Sequence, residues 1–271
     1  MNDGHRSNRI PGRMQKHRWQ YVDTGQKGRE QVRSAVNFFY FEGRDWPLLA
    51  TGPAVNARAR LLLAHGAGAP MDSPFMEALC QALADEGVRV LRFEFPFMAQ
   101  RREGGSRRPA DRAPRLLECW RAVWHSVQTH EPGAWAIGGK SLGGRMASLL
   151  ADEFGAAALV CLGYPFHPPR QPDKCRTVHL ASLRTPTLII QGERDPFGTR
   201  DKVAGYALSA AIQLYWLAAA DHDFAPLKRS GFTQAQHLQA SAEAVAAFLQ
   251  RVADDPVPAL RNNTAPSSLI V

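Results

Sequence analysis

Ser141 stands in Gly139-Lys140-Ser141-Leu142-Gly143, a G-x-S-x-G spacing between a short apolar run and a segment of helical periodicity. A serine on a tight strand-to-helix turn presents its hydroxyl at the top of a sheet, and only residues lacking a Cβ fit beside such a turn. A hydroxyl is a poor nucleophile alone. It needs a base, an acid that orients the base, and donors for the developing oxyanion. The candidate base is His222 in Asp221-His222-Asp223-Phe224, and the candidate acid is Asp195 in Gly192-Glu193-Arg194-Asp195-Pro196. Glu193 and Asp223 are alternative acids, less favoured because Glu193 belongs to a strand end and Asp223 adjoins the histidine itself. Leu142 N–H, directly after the serine, and Ala67 N–H, in His65-Gly66-Ala67-Gly68, are the candidate oxyanion donors. Together these groups perform acyl transfer through a covalent serine intermediate.

Each piece has a bland reading. The spacing recurs by chance, His222 alone reads as a surface histidine, and an aspartate before proline starts turns. Their conjunction is more specific, because each lies just past the end of an expected strand, the edge where open α/β sheets place their sites. Those strands are Leu61–Ala64, Val88–Phe95, Ala134–Gly138, Ala157–Leu162, Thr187–Gln191 and Ile212–Leu217, each largely apolar. Helical spacing alternates with them: Met76, Leu79, Cys80 and Leu83; Leu116, Trp120, Val123 and Val127; Met146, Leu149, Leu150 and Phe154; a segment Lys202–Leu208; and Leu238, Val245, Leu249 and Val252. Such βα alternation predicts a mostly parallel central sheet with helices on both faces. A β-rich run, Val36–Phe41, precedes it and is followed by turn material to Asn56. The expected organisation is a basic tail over residues 1–34, one α/β domain over 35–252, and a polar tail over 253–271. The connection between the Ala157 and Thr187 strands is too short for a large lid domain.

The net charge of +8 is not spread over the chain. Residues 1–34 carry +5 and residues 100–115 carry +4, leaving −1 for the rest. That distribution does not describe the basic face with interleaved aromatics of a nucleic-acid binder. No apolar run reaches membrane-spanning length, and the basic N-terminal stretch has no apolar core of a secretory signal. Four widely spaced cysteines, Cys80, Cys119, Cys161 and Cys175, without a C-x-x-C pair, suit a reduced cytoplasmic protein. Gly139-Lys140-Ser141 fails the phosphate-loop pattern, since Ala134 occupies the position that requires glycine. The nine histidines show no zinc-ligand spacing, so neither metal nor cofactor is expected.

Two further loops border the expected edge. Arg101, Arg102, Arg107, Arg108 and Arg112 follow the Val88 strand. They either steer an acidic substrate or form a solvated loop balanced by Glu103 and Asp111. Tyr164 and Phe166, in Gly163-Tyr164-Pro165-Phe166-His167-Pro168-Pro169, are candidates to line an apolar pocket. His65 and His167 read as structural hydrogen-bonders.

With these residues in place, the sequence resembles the α/β-hydrolases. More narrowly it is similar to a branch of bacterial predicted, dienelactone-hydrolase-like proteins that shares a domain with animal testis-expressed and NSL-chromatin-complex proteins. The matching stretches are His65–Gly68, Arg92-Phe93-Glu94-Phe95-Pro96 with its Arg-rich sequel, Ser141–Arg145, Tyr164–Pro169, Gln191–Asp195 and Asp221–Phe224, spanning roughly Ala57 to Val252. The chain departs from the branch at Ala220 and Asp223, where a glycine and a small residue are expected. The resemblance implies the eight-stranded hydrolase fold and the triad Ser141, Asp195 and His222, in that chain order. It names no particular substrate, and the branch includes members regarded as scaffolds.

Overall fold

A computed structural model describes residues 36–255 apart from 103 and 105–108. The two expected tails therefore fall outside the described residues, except that the last helix runs to Asp254, into the stretch read as tail. Eight strands form one sheet: β1 (Val36–Phe41), β2 (Arg44–Thr51), β3 (Ala59–Ala64), β4 (Val88–Phe93), β5 (Ala136–Lys140), β6 (Leu159–Leu162), β7 (Thr187–Gly192) and β8 (Ile212–Leu217). Their spatial order is β1-β2-β4-β3-β5-β6-β7-β8. β1–β2 and β2–β4 pair antiparallel, and every other pairing is parallel.

The interior strands β3 to β7 are apolar almost throughout because helices cover both of their faces. α1 (Pro74–Asp85) and α7 (Gln234–Asp254) pack together on one face. Their stripes Met76, Leu79, Leu83 and Leu238, Val245, Phe248 close over Leu61, Leu63, Val90 and Val160. α3 (Ala113–His130) and α4 (Leu142–Ser148) pack against each other elsewhere on the sheet. There Trp120 meets Phe93 edge-on with ring centroids 4.7 Å apart. β8 is an edge strand and alternates half-buried with exposed residues, as its single covered face requires.

β2 occupies the stretch expected to be turn material. Glu42 and Gly43, both at positive φ, make the two-residue hairpin that returns the chain. Pro47 is tolerated in the strand because it pairs only with β1, where β4 does not reach. The helix expected through Phe154 breaks instead after Ser148 and resumes as α5 (Ala151–Phe154), which leaves Leu149 partly exposed. The segment expected as a helix over Lys202–Leu208 is one turn, α6 (Arg200–Val203). The remaining helix, α2 (Pro96–Arg102), starts the Arg-rich loop. Between β6 and β7 the only regular element is a 3-10 turn, Val178–Ser182, so no large lid domain covers the sheet's carboxyl edge among the described residues.

Candidate active site

Ser141 links β5 to α4 with φ +51° and ψ −112°, a conformation an L-residue adopts only when its surroundings impose it. The imposition is visible. A Cβ on Gly139 would lie 2.6 Å from Gly144 N and 2.7 Å from Ala64 O; one on Gly143 would lie 2.6 Å from His65 O. The first turn of α4 is thus pressed against the end of β3, and any larger residue would force the elbow open. Ser141 N–H donates to Leu162 O at 2.9 Å, fastening the turn to β6. Its hydroxyl caps no amide of α4 and is left for other work.

His222 and Asp195 are joined directly: Nδ1 lies 2.7 Å from Asp195 Oδ2. The carboxylate is fully buried and fixed on both oxygens. Phe197 N–H donates to Oδ1 at 2.8 Å, and Gln191 Nε2 donates to Oδ2 at 2.9 Å. The Phe197 ring packs on the imidazole with centroids 4.4 Å apart. The histidine loop is tightly built, with Ala219 and Phe224 both at positive φ and Asp221 Oδ1 accepting from the amides of Asp223 and Ala225. The alternative acids are engaged elsewhere: Glu193 holds Arg200 and the Ala219 amide, and Asp223 holds Lys140. Ser141 makes no hydrogen bond to His222 among the described contacts. It stands at the neighbouring strand end, where Leu162 receives its amide and the next residue, Gly163, lies under the imidazole. Apo triads commonly tighten only when substrate binds.

The second donor loop is organised by His65, which is completely buried. Its Nε2 accepts from Phe95 N–H at 3.0 Å, so Nδ1 carries the proton and donates to Gly66 O at 2.6 Å. Burial pushes its pKa down to about 4, which keeps the ring neutral. The candidate oxyanion loop is thereby stitched to the chain just past β4. Arg101 donates to Ala67 O at 2.8 Å and so orients the peptide unit next to the candidate donor. His167 is also structural, bonded through Nδ1 to Pro168 O at 2.9 Å.

Three of the four expected substrate contacts have other duties. Arg102 is clasped by Glu94 and Asp72. Tyr164 and Phe166 are both fully buried; Phe166 stacks on Tyr206, and the Tyr164 hydroxyl donates to Arg176 O at 2.9 Å. Pairing and packing therefore remove them from a pocket wall. The other Arg-loop positions, apart from Arg112, lie outside the described residues. Sequence reasoning missed Gln191 and Lys140. The first had a signal, a lone amide at the end of an otherwise apolar strand; the second was hidden as the variable position of the serine motif. A broad concavity of about 1190 Å³ lies at the opposite, amino-terminal edge of the strands, around Ala59, Ala136, Pro186 and Ala211, and contains none of these residues.

Residues 57–250 match the model of the family described as alpha/beta hydrolase domain. The chain belongs to that family. Among solved structures it is similar to an alpha-beta serine hydrolase homologue from Coxiella burnetii, with 18% identity and a TM-score of 0.60, covering 86% of this chain and 99% of that one. It is also similar to a serine hydrolase without lid from Xanthomonas campestris, at 18% identity and TM-score 0.56, covering 84% and 97%. A dienelactone hydrolase from Anabaena variabilis matches at 20% identity and TM-score 0.62, covering 81% and 97%. At these identities the likeness is one of fold, and the α/β-hydrolase fold places the Ser141, Asp195 and His222 loops at one sheet edge.

Proposed function

We propose that the chain is a cofactor-independent serine hydrolase of ester-type bonds, esterase- or thioesterase-like, acting on a small-molecule acyl substrate. The observation that carries this is the 2.7 Å His222–Asp195 contact at the edge where Ser141 is held on its strained turn. Asp195 fixes Nδ1–H of His222, which leaves Nε2 as the basic nitrogen. Ser141 Oγ attacks the acyl carbonyl while Nε2 takes its proton, and the amides of Leu142 and Ala67 receive the oxyanion. The imidazolium then protonates the leaving group, and a water repeats the sequence to release the acid. Arg101 serves this reaction by bracing the Ala67 peptide. The short β6–β7 connection favours a fairly open site.

The test is labelling with a fluorophosphonate probe together with turnover of short acyl esters. Labelling of Ser141 that disappears in His222→Ala is expected, and Ser141→Ala should lower turnover by a factor on the order of 10⁴ or more. Undiminished ester turnover by Ser141→Ala would sink the assignment. No labelling at high probe concentration would favour a non-catalytic scaffold on the same fold.

A further inference from the structure

The loop that joins β3 to α1 carries the candidate donor Ala67, and its crown, Ala67 to Ala69, is exposed. His65 fastens one end of it. At the other end Met71 is buried and held through both its carbonyl and its amide. Arg92 Nη1 donates to Met71 O at 2.9 Å, and Met71 N–H donates to Glu94 Oε1 at 3.4 Å. Arg92 is itself fixed by Glu77 Oε1 at 2.7 Å and by Thr51 Oγ1 at 3.0 Å. Arg102 closes this network from α2. Its Nε donates to Glu94 Oε2 at 2.7 Å and its Nη2 to Glu94 Oε1 at 3.0 Å, and Nη2 also donates to Asp72 Oδ1. The preceding residue, Arg101, lies over the Phe97 ring and holds Ala67 O. Consecutive residues of α2 thus grip the exposed crown from both sides, at Ala67 and at Asp72.

Burial separates the parts these groups play. The Glu94 side chain is 5% exposed, so leaving it without a partner would be costly. The side chains of Arg102 and Asp72 are 41% and 40% exposed. An ion pair that open to water adds little to stability. What the Arg102 fork supplies is direction, because a guanidinium meets a carboxylate in one plane through two parallel bonds. Glu94, oriented in this way, receives the Met71 amide, and Asp72 is drawn to the same guanidinium. The two residues that end the crown are therefore set by one side chain of α2.

We propose that Arg102 is a positioning residue for the candidate oxyanion hole: by clasping Glu94 and Asp72 it fixes the loop that aims Ala67 N–H. Its effect on turnover rests on the serine-hydrolase reading, whereas its ordering of the loop does not. The test combines residue-resolved amide hydrogen exchange of the full chain with turnover of p-nitrophenyl acetate. In Arg102→Met the amides of Met71 and Ser73, which donate to Glu94 and to Pro70 O, should exchange about tenfold faster or more, with β4 unchanged. Its kcat should fall about tenfold or more at nearly unchanged KM, since oxyanion contacts strengthen in the transition state. The acidic limb of its pH profile should stay in place, because His222 and Asp195 are untouched. Arg102→Lys, which keeps the charge and loses the fork, should fall between the two. Combining Glu94→Gln with Arg102→Met removes the stranded carboxylate. That double variant should melt closer to the unmodified chain and still show fast exchange and low kcat. Recovery of kcat along with Tm would make the role of Arg102 purely structural and overturn the proposal, as would unchanged exchange at Met71 and Ser73. Full turnover by Ser141→Ala would remove the hydrolase reading alone, and the exchange measurement would still decide whether Arg102 orders this loop.

Discussion

Lys140 Nζ lies 3.2 Å from Asp223 Oδ1, so the residue before the candidate nucleophile is tied by charge to the residue after the candidate base. The lysine side chain is buried over the Phe75 ring, and the aspartate is largely exposed. Burial holds the ammonium below lysine's ordinary range, while Asp223, its hydrogen bond, Asp195 and Asp221 pull the other way. Asp223, beside the candidate base, thus has a charged partner in the structure. The pair spans the two loops whose spacing sets the serine–histidine distance.

Asp223→Ala should therefore leave the fold intact but loosen this strap. A fall in kcat/KM of about tenfold, equivalent to ~1.4 kcal/mol, is the expected scale. Lys140→Met removes the charge that would be stranded, so the double variant should lose less than the two single losses added, by about 1 kcal/mol. Strict additivity in the cycle would show that the contact does not couple the loops.

Gln191 offers a second check on positioning. Its side chain accepts from Tyr164 N–H at 2.7 Å and donates to Asp195 Oδ2 at 2.9 Å, so it holds the acid from behind without facing substrate. Gln191→Leu should cost about 1–3 kcal/mol of stability, the penalty for leaving buried groups unsatisfied. It should also lower kcat with KM nearly unchanged, and Gln191→Glu should not restore it, since a second carboxylate would face Asp195. A variant that melted lower but kept its kcat would reduce Gln191 to a purely structural role.

What the sequence disclosed follows a physical division. β3 to β7 were legible because strands covered on both faces are largely apolar, and Ser141, Asp195 and His222 because each follows a largely apolar strand. β2 was not legible, since Gly43, Pro47 and Gly52 are turn residues by local preference and only pairing with β1 and β4 makes that stretch a strand. Tyr164 and Phe166 were misplaced because aromatic residues beside a site look the same whether they line it or support it. Lys140–Asp223 joins separate loops, and no local pattern encodes such a contact.

His65 ties acid stability to the loop it organises, Gly66 to Ala67, beside the end of β3. The unfolded chain takes up a proton on this imidazole near pH 6.5, whereas the folded protein resists until about pH 4. Its contribution is therefore complete above pH 6.5, is lost as pH falls through that window, and changes no further below it. The loss is on the order of 3 kcal/mol. His65→Gln can still donate to Gly66 O and accept from Phe95 N–H without titrating. Denaturant melts between pH 7 and pH 4 should thus show a shallower decline for this variant. Parallel curves would mean that other groups set the acid limit.

Gly163 separates backbone strain from damage to the base. Its φ is +65°, and a Cβ there would lie 3.2 Å from His222 Nδ1, the atom that contacts Asp195. Gly155, at φ +57°, has nothing within 4 Å of the same added atom. Alanine at either position carries a left-handed penalty of roughly 1–2 kcal/mol, so both variants should lose similar stability from strain alone. Only Gly163→Ala also pushes against the imidazole and its hydrogen bond. Ester turnover, measured well below both melting transitions, should remain near normal in Gly155→Ala and fall by about 10²-fold or more in Gly163→Ala. Equal activity in the two variants would mean that the His222 ring is not held where the Ser141 reaction needs it.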